Sequence, residues 1–159
     1  MEKYNVLSVL VDNTPGLLLR VAGLFNRRAY NIASVVAAET EDPAITRMTI
    51  VVYSTDDTLE QVQKQLMKLV DVREVKVLNP HNAVCREHLL IKMENSEESR
   101  TAIVNIACLF DAKIIDSSEK SITFELTGEH DKLNSFINML RPYGIKQLTK
   151  SGISAQERG

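Results

Sequence analysis

Tryptophan is absent from the 159 residues of this chain, and aromatic side chains make up only 5% of it. So few rings leave little surface on which nucleic-acid bases could stack. The formal net charge at pH 7 is −2, so no bulk attraction to nucleic acid or to an anionic membrane is expected. The composition therefore argues against both kinds of partner.

Long apolar runs are also missing, and none is long enough to span a bilayer. The opening MEKYNVLSV lacks the basic region and apolar core of a signal peptide. Only two cysteines occur, Cys85 and Cys108, and we expect reduced thiols, with Cys108 in the core. These features predict a cytoplasmic protein.

Signatures of catalysis are equally scarce. The chain has no G-x-S-x-G elbow, phosphate loop or dinucleotide fingerprint. His81, Cys85 and His88 have a spacing that resembles metal ligands, but a fourth ligand is not evident and the segment crosses from a linker into a strand. We therefore predict neither a catalytic residue nor a metal site.

The chain does contain one order of predicted strands and helices, and this order occurs twice. Apolar alternation predicts strands, and apolar residues three and four apart predict helices. In the first half, strands are predicted at 4–11, 33–40, 46–54 and 71–78, with helical stripes at Leu17, Val21, Leu24, Phe25 and Arg28 and at Leu59, Val62, Leu66 and Leu69. In the second half, strands are predicted at 88–94, 113–117, 121–128 and 145–152, with stripes at Ile103, Ile106, Ala107 and Phe110 and at Leu133, Phe136, Ile137 and Leu140.

Each half thus reads βαββαβ, which predicts an α+β fold of two tandem ferredoxin-like domains. We place the first domain at 1–78, a linker at 79–84 and the second domain at 85–159. Domains this small have little core of their own, and each leaves a sheet face or edge that needs cover. We therefore expect a homodimer or a partner chain.

The turn DNTPG after the first strand suggests a binding site. Thr14 is placed to cap a helix, with Pro15 as its first residue and Gly16 in its first turn. A glycine there leaves the unpaired N–H groups and the positive end of the helix open to a small anion such as a carboxylate. Alternatively, the helix starts later and Gly16 supplies a positive φ.

The matching turn of the second half, ENSEESRTA, serves as an internal comparison. There Ser96 is predicted to cap the helix, and Glu97 and Glu98 to occupy its first turn. Their carboxylates would satisfy the helix dipole and repel an incoming anion. The comparison favours a ligand site in the first half alone.

Two asparagines extend this prediction. Asn13 offers a donor and an acceptor beside the turn, and Asn31 follows the first helix. Asn31 is interpreted either as a left-handed cap of that helix or as a polar contact to a ligand that carries ammonium and carboxylate groups.

These residues together resemble a known family. A strand, DN-x-PG and a helix start within βαββαβ are similar to an ACT domain, a module that binds amino acids. SVLVDNTPGLLLRVAGLF, RRAYNI, TEDPAITRMTI, KQLMKLVDVREVKVL and REHLLIKM resemble the regulatory small subunit of acetolactate synthase over essentially the whole chain.

The resemblance implies a subunit without an active site of its own. Such a subunit binds and activates the catalytic large subunit and confers feedback inhibition by valine or a related branched-chain amino acid. Thiamine diphosphate, Mg and FAD are then expected only on the catalytic partner. In that family the effector sits between the ACT domains of two chains, and the resemblance implies the same arrangement here.

By motif position, the resemblance places the effector at Asn13, Thr14, Pro15, Gly16, Leu17, Asn31 and Ile32. We expect the apolar lining from Leu17, Ile32 and Val35. Ala29 stands where the family usually has glycine, which bears on the end of the helix and on Asn31.

Other interpretations remain. RNA-binding modules share the βαββαβ order and stack bases on sheet aromatics, but here the candidate strand VLSVLVD has no aromatic residue and TRMTIVVYS has only Tyr53 near its end. A free-standing amino-acid sensor for another enzyme or regulator is also compatible with the composition. The arginines either contact the catalytic subunit or form solvated surface; they are Arg20, Arg27, Arg28, Arg47 and Arg73.

Overall fold

The computed structural model describes residues 3–79 and 81–159, which form two four-stranded sheets and four α-helices. The strands are β1 (Lys3–Asp12), β2 (Ile32–Glu39), β3 (Ile45–Ser54), β4 (Val72–Leu78), β5 (Ala83–Glu94), β6 (Lys113–Ser117), β7 (Ser121–Gly128) and β8 (Ile145–Glu157). The helices are α1 (Leu17–Arg27), α2 (Asp56–Leu66), α3 (Arg100–Phe110) and α4 (His130–Leu140), and a 3-10 turn follows at Arg141–Tyr143.

Both sheets have the same topology. Their strand orders are β2-β3-β1-β4 and β6-β7-β5-β8, so in each unit the first strand is central and the second lies at an edge. Helices connect the strands in the split βαβ manner of the ferredoxin-like fold. The predicted α+β fold with two tandem units is confirmed. None of the described helices is long and apolar enough to cross a membrane.

The first core lies between its sheet and α1 and α2. Leu7, Val9 and Val11 alternate along β1 and are completely buried, as period 2 requires of one strand face. The predicted stripe of α1 supplies Val21 and Phe25. Each such side chain contributes about 1.5–3 kcal/mol by leaving water. Burial of this one face positions the loop that joins β1 to α1.

The second core repeats this arrangement with Leu89, Ile91 and Met93 of β5, each fully buried. The stripe predicted for α3 is buried at Ile103 and Ala107, but the prediction that Cys108 lies in the core is wrong, because its thiol side chain is exposed. Cys108 lies about 100° around the helix from Ala107, which turns it toward solvent.

The division of the chain differs from the predicted one at its edges. One compact unit extends to Val84 and includes Ile153–Gly159, and the other is Cys85–Gly152. β5 begins at Ala83, inside the predicted linker 79–84, and β8 continues past its predicted end at 152. Gly152 has φ 82°, so it bends the strand without ending it. Met1, Glu2 and Pro80, within predicted ranges, lie outside the described residues.

Candidate functional site

A solvent-open cleft of about 360 Å³ lies beside the loop that joins β1 to α1. The loop and the helix start form one wall, and β2 and β3 form the other. The lining residues are Asn13, Thr14, Gly16, Leu17, Leu18, Ala37, Ala38, Glu39 and Thr46. The structure therefore brings four of the predicted site residues together: Asn13, Thr14, Gly16 and Leu17.

Gly16 is the N-cap of α1 and adopts φ 81° and ψ 3°, in the left-handed region. The prediction that Thr14 caps the helix and Pro15 begins it is therefore wrong, and the alternative is correct: the helix begins at Leu17 and Gly16 supplies the positive φ. A Cβ at Gly16 would lie 3.3 Å from Arg20 Nη1 and would strain the backbone.

This helix start remains electropositive. The N–H of Leu17 donates to the carbonyl of Thr14 at 3.3 Å. The N–H groups of the next two residues have no intrahelical acceptor, and Gly16 has no side-chain oxygen to supply one. The first turn of α1 also contains no acidic residue. By contrast, Thr55 Oγ1 accepts from the N–H of Thr58 at the start of α2, where Asp56 and Asp57 follow. Of these two helices, α1 is the one built to receive an anion.

Arg20 holds the loop in place. Its Nη2 donates to Thr14 Oγ1 at 2.9 Å, its Nη1 donates to the carbonyl of Pro15 at 3.3 Å, and its Nε lies 2.7 Å from Asp71 Oδ2. Thr14 Oγ1 in turn donates to Asp71 Oδ1 at 3.1 Å. Sequence reasoning missed this role, because Asp71 is distant in the chain.

Asn13 joins the cleft to the hairpin between β2 and β3. Its backbone N–H donates to the carbonyl of Ala44 at 2.8 Å, and its side-chain Nδ2 donates to the carbonyl of Pro43 at 3.0 Å and to Glu39 Oε1 at 3.2 Å. The amide orientation leaves Asn13 Oδ1 as an acceptor without a partner among the described residues. Glu39 is a further acidic group that the sequence analysis did not select.

The cleft thus carries three kinds of chemistry. The start of α1 offers N–H donors to a carboxylate, and Asn13 Oδ1 with the Glu39 carboxylate offers acceptors to an ammonium. Leu17, Leu18 and the neighbouring alanines offer apolar contact. This combination suits a small zwitterion with an apolar side chain, which is an amino acid.

The corresponding place in the second unit is built differently. Asn95 makes the bonds that Asn13 makes: its N–H donates to the carbonyl of Lys120 and its Nδ2 to the carbonyl of Ser118. However, its Oδ1 already accepts from Arg100 Nε at 2.7 Å. A cleft of about 480 Å³ here is lined by Glu94, Ser96, Glu98, Ser99, Pro142, Tyr143 and Gly144. Its acidic lining does not suit a carboxylate.

The prediction that Ser96 caps α3, with Glu97 and Glu98 in its first turn, is wrong in detail. The helix begins at Arg100, and its first turn contains no acidic residue. Ser96 Oγ instead accepts from the N–H of Ser99 at 3.2 Å and closes a turn ahead of the helix, which contains both glutamates. The sequence therefore predicted the helix start too early, because Ser96 caps a separate turn that precedes the helix.

Asn31 lies at the opposite end of β2 from Glu39 and lines a different cleft, of about 290 Å³, with Tyr30 and Tyr53. The reading of Asn31 as a left-handed cap is wrong: α1 ends at Arg27, and the left-handed residue is Ala29, with φ 54°. The eight residues of β2 extend roughly 25 Å. One amino acid therefore cannot touch Asn31 and Gly16 of the same chain.

The remaining predicted residues lie outside the cleft. Pro15 is exposed, and Ile32 packs against the first core. Val35, proposed as apolar lining, is 45% exposed on β2. Only Leu17 of the three lining residues faces the cleft.

The residues considered for a metal site or for contact with a catalytic subunit make ordinary contacts within the fold. Among residues 3–79 and 81–159, no three His, Cys, Asp or Glu side chains are placed to hold a metal ion. His88 Nε2 lies 2.9 Å from Glu125 Oε1. Arg47 donates to Ser8 Oγ at 2.8 Å, and Arg73 pairs with Asp12.

Two tandem βαββαβ units with an open helix start in the first agree with the class that the comparisons identify, the ACT-domain proteins. The family model for the AHAS small subunit-like ACT domain matches residues 7–74, and that for the small subunit of acetolactate synthase matches residues 86–159.

Whole-chain comparisons specify the family. The acetolactate synthase small subunit of Mycolicibacterium smegmatis is 43% identical over 155 residues, which cover 98% of this chain and 91% of the relative. The acetolactate synthase small subunit of Haemophilus influenzae is 41% identical over 155 residues, which cover 97% of this chain and 95% of the relative. A crystal structure of the small subunit from Thermotoga maritima superposes with a TM-score of 0.88 at 38% identity, covering 99% of this chain and 98% of the other. The chain belongs to the acetolactate synthase small subunit family.

Proposed function

We propose that this chain is a regulatory subunit that binds and activates the catalytic large subunit of acetolactate synthase and makes it sensitive to a branched-chain amino acid, valine foremost. The observation that carries the effector part is the cleft at Gly16, which offers N–H donors, carboxylate and amide oxygen acceptors, and apolar contact within about 360 Å³. Family membership supports the partner.

The binding site for the effector is completed by a second copy of the chain. β2 is an edge strand, so its outer side is available for pairing. If two copies pair antiparallel through β2, the Asn31 end of one lies beside the Glu39 end of the other. Asn31 of the second copy then reaches the cleft that holds Asn13 and Gly16 of the first. The separation of Asn31 from Gly16 within one chain supports this homodimer.

Feedback inhibition follows from linkage. An effector shifts an equilibrium only by its difference in affinity for two states. Valine held between two copies favours one arrangement of the dimer, and that arrangement supports the catalytic subunit less well. Coupling of about 1–3 kcal/mol would change activity from several-fold to about a hundredfold. Thiamine diphosphate, Mg and FAD belong, in this proposal, to the catalytic partner.

Calorimetry with valine, leucine and isoleucine tests the site, using Gly16→Asp and the matched control Gly16→Asn. Both variants add a side chain of one shape, and Asn and Asp both tolerate the left-handed region, so they differ mainly in charge. We expect Gly16→Asp to weaken valine binding at least tenfold more than Gly16→Asn. Equal affinity in wild type and both variants would remove Gly16 from the site.

Reconstitution with the catalytic subunit tests the regulation. We expect the wild-type chain to raise acetolactate formation and valine to reverse that rise. Gly16→Asp should still activate but resist valine. If the chain binds valine but neither co-purifies with the catalytic subunit nor activates it, the alternative of a free-standing amino-acid sensor is favoured.

A further inference from the structure

The second unit exposes an apolar edge that the proposed regulation does not use. β6 lies at the end of its sheet, so its outer backbone groups face away from β7. Ile114 and Ile115 are 52% and 50% exposed. We propose that β6 is a self-association edge that pairs antiparallel with β6 of a second copy.

The register of β6 creates a self-complementary surface. Lys113 lies opposite Glu125, and Asp116 lies opposite Thr123, with a register shift between Ile114 and Asp116. Glu125 and Thr123 are two residues apart on β7 and so share one face of the sheet. Lys113 and Asp116 therefore share that face too. A regular strand would place residues three apart on opposite faces.

This shared face is what a two-fold pair of strands needs. Residues directly opposite each other in an antiparallel pair lie on the same face. A two-fold axis midway between Ile114 and Ile115 sets Lys113 of each copy against Asp116 of the other. It also brings the exposed Ile114 and Ile115 of the two copies together at the centre. Two opposite-charge pairs thus flank an apolar stretch, and both halves of the interface are identical, as an isologous contact requires.

Exposed apolar surface continues beside this edge. Leu109, near the end of α3, is 77% exposed and is joined to β6 through only Phe110, Asp111 and Ala112. Edge strands are commonly protected by charged side chains, especially lysine, or by a bulge. β6 carries one charge of each sign, at the spacing that a reversed copy matches. Charge complementarity therefore selects a second copy of this chain as the occupant.

Charge reversal in the full-length chain tests the pairing by sedimentation equilibrium over micromolar concentrations. Lys113→Asp places like charges opposite each other twice, and we expect it to raise the dissociation constant of one assembly step about tenfold or more. Asp116→Lys should do the same. Lys113→Asp with Asp116→Lys restores both pairs in reverse and should return the constant to within about threefold of wild type. Lys120→Asp, on the adjacent turn, is the matched control and should change nothing.

The same variants are then measured with Val35→Lys, which disturbs the β2 edge. Residual self-association that Lys113→Asp abolishes and the double reversal restores would support β6. Unchanged dissociation constants in the single reversals, or no recovery in the double, would overturn it. An effect of the β6 variants without any effect of Val35→Lys would contradict the proposed β2 dimer and leave the β6 edge standing.

Discussion

The two units share a fold but differ where the central strand gives way to a helix. Asn13 and Asn95 hold the neighbouring hairpin in the same way, with backbone and side-chain donors to its carbonyls. In the first unit Gly16 then leaves the helix start open. In the second, Ser96 closes a turn, and Arg100 Nε donates a hydrogen bond to the side-chain oxygen of Asn95. One fold position thus becomes an open helix start or a closed turn according to a few side chains.

The largest expected effects come from substitutions in the two cores, which should lower stability alike but affect valine binding differently. Leu7→Ala and Leu89→Ala each remove a fully buried leucine from a central strand, and each should lower the free energy of unfolding by about 2–5 kcal/mol. Thermal denaturation measures this loss. Because β1 leads into Asn13, Leu7→Ala should also weaken valine binding, whereas Leu89→Ala should not. Loss of binding in Leu89→Ala well below its melting temperature would contradict this separation.

Arg20 and Arg100 allow a smaller, paired test. Arg20→Ala removes an ion pair and two hydrogen bonds that order the loop, on a partly exposed surface, so we expect a loss of about 1 kcal/mol in stability. Valine affinity should fall several-fold because the loop must be ordered on binding. Arg100→Ala is the control and should leave affinity unchanged in calorimetry. An unchanged Arg20→Ala affinity would show that the loop does not need this arginine.

Backbone strain differs at two equivalent left-handed positions, Ala29 with φ 54° and Asp111 with φ 60°. Alanine tolerates this region poorly, whereas aspartate visits it more readily. Ala29→Gly should therefore stabilise the protein by about 0.5–1 kcal/mol after the entropy of the unfolded chain is counted. Chemical denaturation should show a smaller gain for Asp111→Gly. An equal or larger gain at Asp111 would contradict the strain argument.

The smallest effect concerns the terminal segment that belongs to the first unit. A hydrogen bond from Lys76 to Glu157, together with their charge attraction, raises the pKa of Lys76. This pair stabilises the fold below the unfolded lysine pKa of about 10.4 and is lost as pH rises through the higher folded value. Glu157→Gln should lower the Lys76 pKa in an NMR titration, and Glu74→Gln should lower it less. The reverse order would identify Glu74 as the main partner.

Much of the fold was predictable from the chain. The period-2 runs of β1 and β5 and the stripes of α1 and α4 specify buried faces, because a strand or helix has only one way to bury a regular apolar pattern. Boundaries were less predictable. Thr14, Pro15 and Ser96 have the chemistry of helix starts, yet the helices begin later, since Gly16 and the turn at Ser96 come first.

Local pattern by itself determined the two βαββαβ units, their cores and the glycine that opens the first helix. Only the tertiary structure decided which polar groups surround that helix start, because Asp71, Pro43 and Glu39 reach it through strand pairing across long stretches of chain. It also decided that Lys113 and Asp116 share a face, since that depends on how β6 shifts against β7. Periodicity describes one element at a time, whereas a site is assembled from several.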